Sequence, residues 1–131
     1  MSSKGRPYRK VVVDGFEILI GKGDQENDRL TFEVAEPHDL WLHVAHHSGS
    51  HVVIRTPDDG AHIPEAVIER AAELAAWFSN ARGRRGKVEV HLCRAGEVYK
   101  PRSFEPGKVM LQNWRALRVY PKSLEAASGD D

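Results

Sequence analysis

The sequence predicts an α+β fold, with a mainly antiparallel sheet of about seven or eight short strands and one long helix packed on it. Apolar and polar residues alternate with a period of two over most of the chain, as in strands that bury one face. Residues 64–83 instead repeat apolar residues every three or four positions, which is the helical period. No β-α-β alternation occurs, and neither G-x-G-x-x-G nor G-x-x-x-x-G-K-[ST] is present, which argues against a Rossmann or phosphate-loop architecture.

Length and composition indicate one domain. The chain has 131 residues, of which 40% are hydrophobic, enough for a single buried core. We expect a basic N-terminal arm over residues 1–13, whose first ten residues carry four cations and no acid. A single domain is expected over 14–122 and a flexible acidic tail over 123–131.

Two strand pairs are predicted in the first half of the chain. The first alternates on both sides of GKGDQEND (21–28), whose glycines, Asp and Asn favour a turn, so we expect a hairpin over 15–35. The second joins DLWLHVA (39–45) to SHVVIRT (50–56) through HHSGS. Placing the apolar residues of both strands on one face pairs residue 44 with 52 and 42 with 54.

The helix and the remaining strands follow. Pro64 suits the first helical turn, and Gly83 suits the position just past the end. KVEVHLCRA and EVYK then alternate as strands, and KVMLQNW with ALRVY is predicted to form the last strand pair. The apolar stripe that should place the helix on the sheet comprises Val67, Ile68, Ala71, Leu74, Ala75 and Phe78.

The cysteine count and the absence of long apolar runs indicate the compartment. Cys93 is the only cysteine, so neither an intramolecular disulfide nor a thiolate zinc site within one chain is available, and we expect it to be a buried strand residue. No apolar run approaches the roughly 20 residues of a membrane span, and the first ten residues are too polar for a signal peptide. We therefore expect a cytoplasmic protein without a membrane partner.

The formal net charge is zero, but the charges are unevenly distributed. Residues 82–102 are locally positive and can hold a polyanion, although a basic surface that is merely solvated is the alternative. This segment contains two acids, Glu89 and Glu97, and seven cations: Arg82, Arg84, Arg85, Lys87, Arg94, Lys100 and Arg102.

The second strand pair carries the candidate binding surface. In the predicted register its non-apolar face presents Trp41, His43, His51, Val53 and Arg55, with Trp41 beside Arg55. An indole can stack on a base, and imidazole and guanidinium groups can bind phosphate or ribose hydroxyls. An ordinary solvated sheet face is the alternative.

Two kinds of chemistry also fit these histidines. A metal-independent ribonuclease would use His43 and His51 as general base and acid, with Arg55 stabilising charge, provided that both imidazole pKa values are near neutrality. A zinc site of His43, His46 and His51 would have three ligands, but its spacing matches no common motif. We expect no metal and no cofactor.

Four segments together resemble the NFACT-R domain, the RNA-binding module of the Tae2, NEMF and RqcH proteins of ribosome-associated quality control. The resemblance spans roughly residues 14–121, and Gly23, Ser48 and Tyr99 depart from the family pattern. The segments are DGFEILIGKGDQENDRLT (14–31), DLWLHVAHHSGSHVVIR (39–55), AAELAAWFSNAR (71–82) and VYKPRSFEPGKVML (98–111).

The resemblance implies a free-standing RNA-binding module rather than an enzyme. Its partners would be structured RNA, either transfer or ribosomal RNA, and the ribosome, in translation quality control or RNA processing. An adaptor that docks a protein partner, or dimerises, through an uncovered strand edge is the third class. Gly21, Gly49 and Gly107 would shape the backbone. The RNA-binding residues would be Lys22, Asn27, Asp39, Trp41, His43, Gly49, Ser50, His51, Arg55, Lys100 and Arg102.

Overall fold

The computed structural model describes residues 5–57 and 62–125. It confirms the α+β prediction, with one long helix, α2, and strands that pair antiparallel. The strands are β1 Tyr8–Val13, β2 Phe16–Gly21, β3 Leu40–Val44, β4 Val52–Ile54, β5 Val88–Arg94, β6 Val98–Tyr99, β7 Met110–Leu111 and β8 Arg115–Val119. The helical elements are α1 Asp24–Arg29, a π-helical turn Leu30–Val34, α2 Glu65–Trp77 and a 3-10 turn Ala95–Glu97.

Six strands form the main sheet in the order β1-β2-β4-β3-β5-β8, and β6 pairs with β7 in a small second sheet. Helix α2 covers one face of the main sheet, where its Val67, Ala71 and Leu74 pack among strand residues. Over the central strands, the other face is covered by α1, the π-helical turn and the chain from 95 to 111. Within 5–57 and 62–125, no helix is long and apolar enough to cross a membrane.

Strand β1 corrects the predicted N-terminal arm. Residues 8–13 are not a free arm, because they pair along their full length with β2. Asp14 and Gly15 connect the two strands with φ of 51° and 86°, the backbone conformation that tight hairpin turns require. The Asp-Gly pair was therefore the hairpin signal in this segment. Residues 1–4 of the predicted arm lie outside the described residues.

The hairpin predicted over 15–35 is wrong in its second half. Residues 24–34 are helical, and β2 pairs with β1 and β4 instead. Asn27, Leu30 and Thr31 are buried at positions i, i+3 and i+4, so the segment buries one helical face against the sheet. The short apolar run fitted both periods, and tertiary burial selected the helical one.

Helix α2 begins as predicted but ends early. Pro64 is its N-cap, and the last helical residue is Trp77 rather than a residue next to Gly83. Beyond it the backbone bonds to the 48–50 turn: Ser50 N–H donates to Phe78 O at 2.9 Å, and Asn80 N–H donates to Ser48 O at 2.8 Å. These bonds form an antiparallel β-bridge between Gly49 and Ser79, which a continuing helix would exclude.

The predicted last strand pair is also wrong, although both strands exist. β7 pairs with β6, whereas β8 pairs with β5. Leu111 packs in the core on the side away from α2, and Leu117 and Val119 pack on the α2 side, so the two strands serve different layers. Of the predicted tail, 126–131 lies outside the described residues, and Ser123 O accepts a hydrogen bond from Arg70 at 2.6 Å.

Candidate nucleic-acid interface

The register of β3 and β4 differs from the predicted one by two residues. Leu42 lies opposite Val52, and Leu40 lies opposite Ile54. Because the shift is even, the predicted faces are retained, with Leu40 and Leu42 towards α2 and Trp41 on the other side. Trp41 is opposite Val53, so its predicted position beside Arg55 is wrong.

The face that carries Trp41 is closed, contrary to the prediction of an open stacking surface. Trp41 is 1% exposed, and His51 and Val53 are 0% exposed. The covering segments supply Leu30 and Val98, which pack with Trp41 in a second hydrophobic core. As folded, Trp41 therefore cannot stack on a base.

A chain of hydrogen bonds links the buried aromatic residues to a distant loop. Trp41 Nε1 donates to Thr31 Oγ1 at 3.0 Å, and the same hydroxyl lies 2.8 Å from His51 Nδ1. His51 Nε2 lies 3.2 Å from Gly107 O. One tautomer satisfies every atom: Thr31 donates to Nδ1, and Nε2–H donates to the Gly107 carbonyl. The motif residues thus build the layer that holds the 100–108 loop.

Asn27 locks the Gly-Ser turn to helix α1. Its Oδ1 accepts from His51 N–H at 3.0 Å, and its Nδ2 donates to Gly49 O at 3.2 Å. Ser50 Oγ donates to Gly21 O at 2.7 Å. A Cβ at Gly21 would overlap the Asn27 amide, so glycine is needed there for close approach.

Lys100 binds other residues of the 100–108 loop and the end of α1. Its Nζ donates to the carbonyls of Glu105 and Lys108, both at 2.6 Å, and lies 3.4 Å from Asp28 Oδ2. The other Asp28 oxygen accepts from Gly107 N–H at 3.1 Å. The loop is therefore closed on itself and fastened to the end of α1.

Asp39 caps the entry to β3. This carboxylate is 0% exposed, and it accepts from the N–H groups of Glu36 and Thr56, both at 2.8 Å. Arg55 Nε lies 3.2 Å from Asp39 Oδ2, and the same guanidinium donates to Val34 O at 3.4 Å. The charges of Asp39 and Arg55 are thus used within the fold.

The two central histidines are uncharged at neutral pH. Desolvation by burial lowers the pKa of His51 to about 3, and the nearby His43 adds to the shift. Desolvation likewise lowers the pKa of His43 to about 4, although this side chain is only half-buried. Their rings lie 5.3 Å apart, edge to face.

These pKa values contradict the ribonuclease hypothesis, which requires one charged imidazole near neutrality. His51 is also sealed from solvent, and Arg55 is engaged with Asp39. In the part of the chain that the structure describes, no group of three or more His, Cys, Asp or Glu residues could hold a metal ion. Cys93 is buried as predicted, and desolvation raises its pKa to about 12.

The candidate RNA-binding residues therefore fall into three groups by exposure. Lys22 and Arg102 are exposed. Partly exposed are His43, Gly49, Ser50, Arg55 and Lys100, and buried are Asn27, Asp39, Trp41 and His51.

An open groove of about 350 Å³ lies between the Gly-Ser turn and the end of α2. Polar groups line it, including Ser48, Ser50, Asn80 and Arg82. The Arg82 guanidinium stacks 4.6 Å from the centre of the Trp77 ring and begins a basic loop. Every residue from 82 to 87 is exposed, and this loop, hereafter the 82–87 loop, carries four cations and no acid.

Sequence reasoning missed a set of exposed aromatic groups at the β5–β8 side of the sheet. Trp114 is 54% exposed, and its ring lies 5.3 Å from that of His91. His46 lies 6.2 Å from His91. The available signal was the alternation of KVEVH, which places His91 on the same face as Cys93, opposite α2.

Comparison with known proteins finds relatives that carry the same protein name. The protein named Rqc2 homolog RqcH from Streptococcus suis (strain 05ZYH33) is 40% identical over 117 residues, covering 88% of this chain and 20% of that protein. The Rqc2 homolog RqcH of Bacillus subtilis (strain 168) is 35% identical over 123 residues, covering 90% of this chain and 21% of that protein. The chain thus spans about a fifth of the length of these relatives.

A solved structure and a family match complete the comparison. The C-terminal part of the fibronectin/fibrinogen-binding protein from Streptococcus suis superposes with a TM-score of 0.82 and 37% sequence identity, over 96% of this chain and 49% of that one. Residues 7–113 match the family described as NFACT protein RNA binding domain. The chain therefore belongs to the NFACT RNA-binding domain family, as the sequence motifs indicated.

Proposed function

We propose that this chain is a non-catalytic module that binds structured RNA, either transfer or ribosomal RNA, in ribosome-associated quality control. The observation that supports it best is the 82–87 loop next to the polar groove at the Gly-Ser turn. Family membership supports RNA as the polyanion. The ribosome is the expected setting because the relatives are Rqc2 homologues.

The electrostatics of the loop suit a phosphate backbone. Arg82, Arg84, Arg85 and Lys87 are close in sequence and exposed, so their charges add in one place. Cations of this kind neutralise phosphates and release counterions, which makes affinity steeply dependent on salt. At the groove, Ser48 can donate its hydroxyl to phosphate or ribose oxygens, whereas Ser50 Oγ donates to Gly21 O and is left as an acceptor for a ribose hydroxyl.

The motif residues then divide into two roles. Lys22 and Arg102 are exposed and can contact phosphates directly, and the half-buried Ser50 and His43 keep part of their surface accessible to RNA. The buried motif residues act indirectly: the bonds of Asn27, Trp41 and His51 fix the Gly-Ser turn and the 100–108 loop, and those of Asp39 fix the entry to β3. In this assignment, the buried motif residues maintain the shape of the surface that the RNA contacts.

The test is a filter-binding titration with transfer RNA and duplex DNA at about 50 and 200 mM salt, followed by a gel of the recovered RNA. If the four loop cations each neutralise one phosphate, affinity should fall roughly 100-fold between these salt concentrations. Arg84→Ala with Arg85→Ala should reduce the slope of log affinity against log salt by about 2.

The matched control is Lys10→Ala. Lys10 is also an exposed cation, but it lies on β1, at the edge of the sheet far from β5, the strand that the 82–87 loop enters. The control should bind as the wild type does. Salt-independent binding, or equal slopes for the double variant and wild type, would count against the proposal, and cleaved RNA would restore an enzyme hypothesis.

A protein-binding adaptor is the second candidate. It is favoured by the structural relative named for binding fibronectin and fibrinogen, and by β1 and β8, which are the two edges of the sheet. Edge strands offer unpaired backbone groups to a partner strand. Surface plasmon resonance of nuclease-treated protein on immobilised fibrinogen would test it, and binding that persists without RNA would favour the adaptor.

A further inference from the structure

One part of the sheet remains uncovered on the side away from α2. In the antiparallel register, His91 lies opposite Ala116, and Glu89 lies opposite Arg118. These positions alternate with Val90 and Leu117, which pack towards α2, so their side chains point the other way. Ala116 and Arg118 are exposed, in contrast to Trp41 and Val53, which are buried on the same face of the central strands.

Two aromatic groups flank this open area. At one end, Trp114 is 54% exposed, and its ring is tilted by 36° from the neighbouring His91 ring. Glu89 Oε2 accepts from His91 Nε2 at 3.0 Å, which fixes the orientation of the imidazole. At the other end, Tyr120 is 54% exposed, and Lys87 Nζ lies 5.6 Å from the centre of its ring.

The spacing and charge of these groups fit a nucleic-acid strand. His91 and Lys87 are four residues apart on one extended segment, a separation of roughly 13 Å at the strand rise. Arg118 lies between the two ends, and the described residues include no ion-pair partner for it. An exposed ring at each end and a cation between them suit two bases joined by phosphates.

We propose that the open face of β5 and β8 binds unpaired nucleotides, with one base on Trp114 and another on Tyr120. This inference rests on the proposed function and specifies which part of the RNA is bound at this face. The 82–87 loop leads into β5, so phosphates of the same RNA can extend from the loop to the open face. Bases inside a duplex expose only their edges and cannot stack on protein side chains, so the face selects single-stranded loops or ends.

The experiment measures fluorescence anisotropy of a labelled oligouridylate of about ten nucleotides, and of the same strand paired with oligoadenylate. Trp114→Ala and Tyr120→Ala are compared with wild type and with Phe32→Ala. Phe32 is a matched control because it is 42% exposed and lies in the π-helical turn, away from β5 and β8. Thermal denaturation of each variant confirms that it is folded.

We expect each of Trp114→Ala and Tyr120→Ala to weaken binding of the single strand roughly 5- to 150-fold, as loss of one stacked base predicts. Both variants should bind the duplex as wild type does, and Phe32→Ala should change neither affinity.

Four outcomes overturn the inference. Wild-type protein that binds the duplex or transfer RNA but not the single strand would refute unpaired-base binding while leaving RNA binding intact. Unchanged single-strand affinity in both variants would place the bases elsewhere. Sedimentation of the wild type as a dimer that Trp114→Ala dissociates would assign the face to a second copy of the chain. Wild-type protein that binds no RNA at low salt would refute the proposed function as well.

Discussion

Replacing Thr31 with valine would test the buried hydrogen-bond chain between the central strands and the π-helical turn. The hydroxyl accepts from Trp41 Nε1 at 3.0 Å and lies 2.8 Å from His51 Nδ1. Thr31 is 4% exposed, and Trp41 and His51 are 1% and 0% exposed, so water cannot replace the hydroxyl without rearrangement. Valine keeps the shape of the side chain and removes only the polar group.

The expected loss follows from the two atoms left without a partner. A buried polar group that loses its hydrogen bond costs about 1–3 kcal/mol, so the loss of two such bonds in Thr31→Val should lower the free energy of unfolding by roughly 2–6 kcal/mol. In a domain of this size, that corresponds to a Tm decrease of roughly 6 to 20 °C. This loss is large, because the total free energy of unfolding of a native protein is only about 5–15 kcal/mol.

The assay is urea unfolding followed by far-UV circular dichroism, with Thr31→Ser as the matched control. Serine keeps the hydroxyl and loses one methyl group, which should cost about 1 kcal/mol. A valine variant as stable as wild type, or no less stable than the serine variant, would show that the hydroxyl does not stabilise the layer.

Two further predictions concern pH and the 100–108 loop. Because the folded pKa of His51 is about 3 and that of His43 about 4, both below the ordinary 6.5, unfolding takes up protons below pH 6.5 and stability should fall as the solution is acidified. His51 alone should lower the free energy of unfolding by about 2 kcal/mol between pH 7 and pH 5, and the half-buried His43 should add a smaller decrease. Equal urea midpoints at the two pH values would contradict this prediction. Gly107 has φ of +85°, and an added Cβ would lie 3.0 Å from the Asp24 carboxylate. Gly107→Ala should therefore lower the free energy of unfolding by about 1–2 kcal/mol. Gly83→Ala is the control and should be close to neutral, because a Cβ there meets nothing within 4 Å. Equal Tm values for the two alanine variants would contradict the strain argument.

The position of Trp41 illustrates how far the sequence alone could reach. The period-two pattern correctly placed Leu42 and Trp41 on opposite faces, and the two-residue error in register did not change this because the period is even. The pattern had no information on what covers the second face. The cover comes from Leu30 and Val98, which are distant in sequence and whose short apolar runs fit several structures.

The motifs were similarly informative about identity and incomplete about role. DLWLHVA with GSHV indicated the family, and residues 7–113 match it. Asn27, Asp39 and His51 were expected to contact RNA, but their polar atoms are directed inwards to backbone partners. From the sequence alone, a polar residue in a motif is equally compatible with a role in binding and a role in folding. Only its burial in the structure distinguishes the two roles.

By itself, the sequence determined the α+β class, the long helix, the buried Cys93 and the family, because each depends on local periodicity or on a linear motif. The tertiary structure decided which strands pair, which face of the sheet stays open and which cations remain exposed. Those properties depend on contacts between segments far apart in the chain, such as His51 with Gly107, and on the burial that these contacts impose.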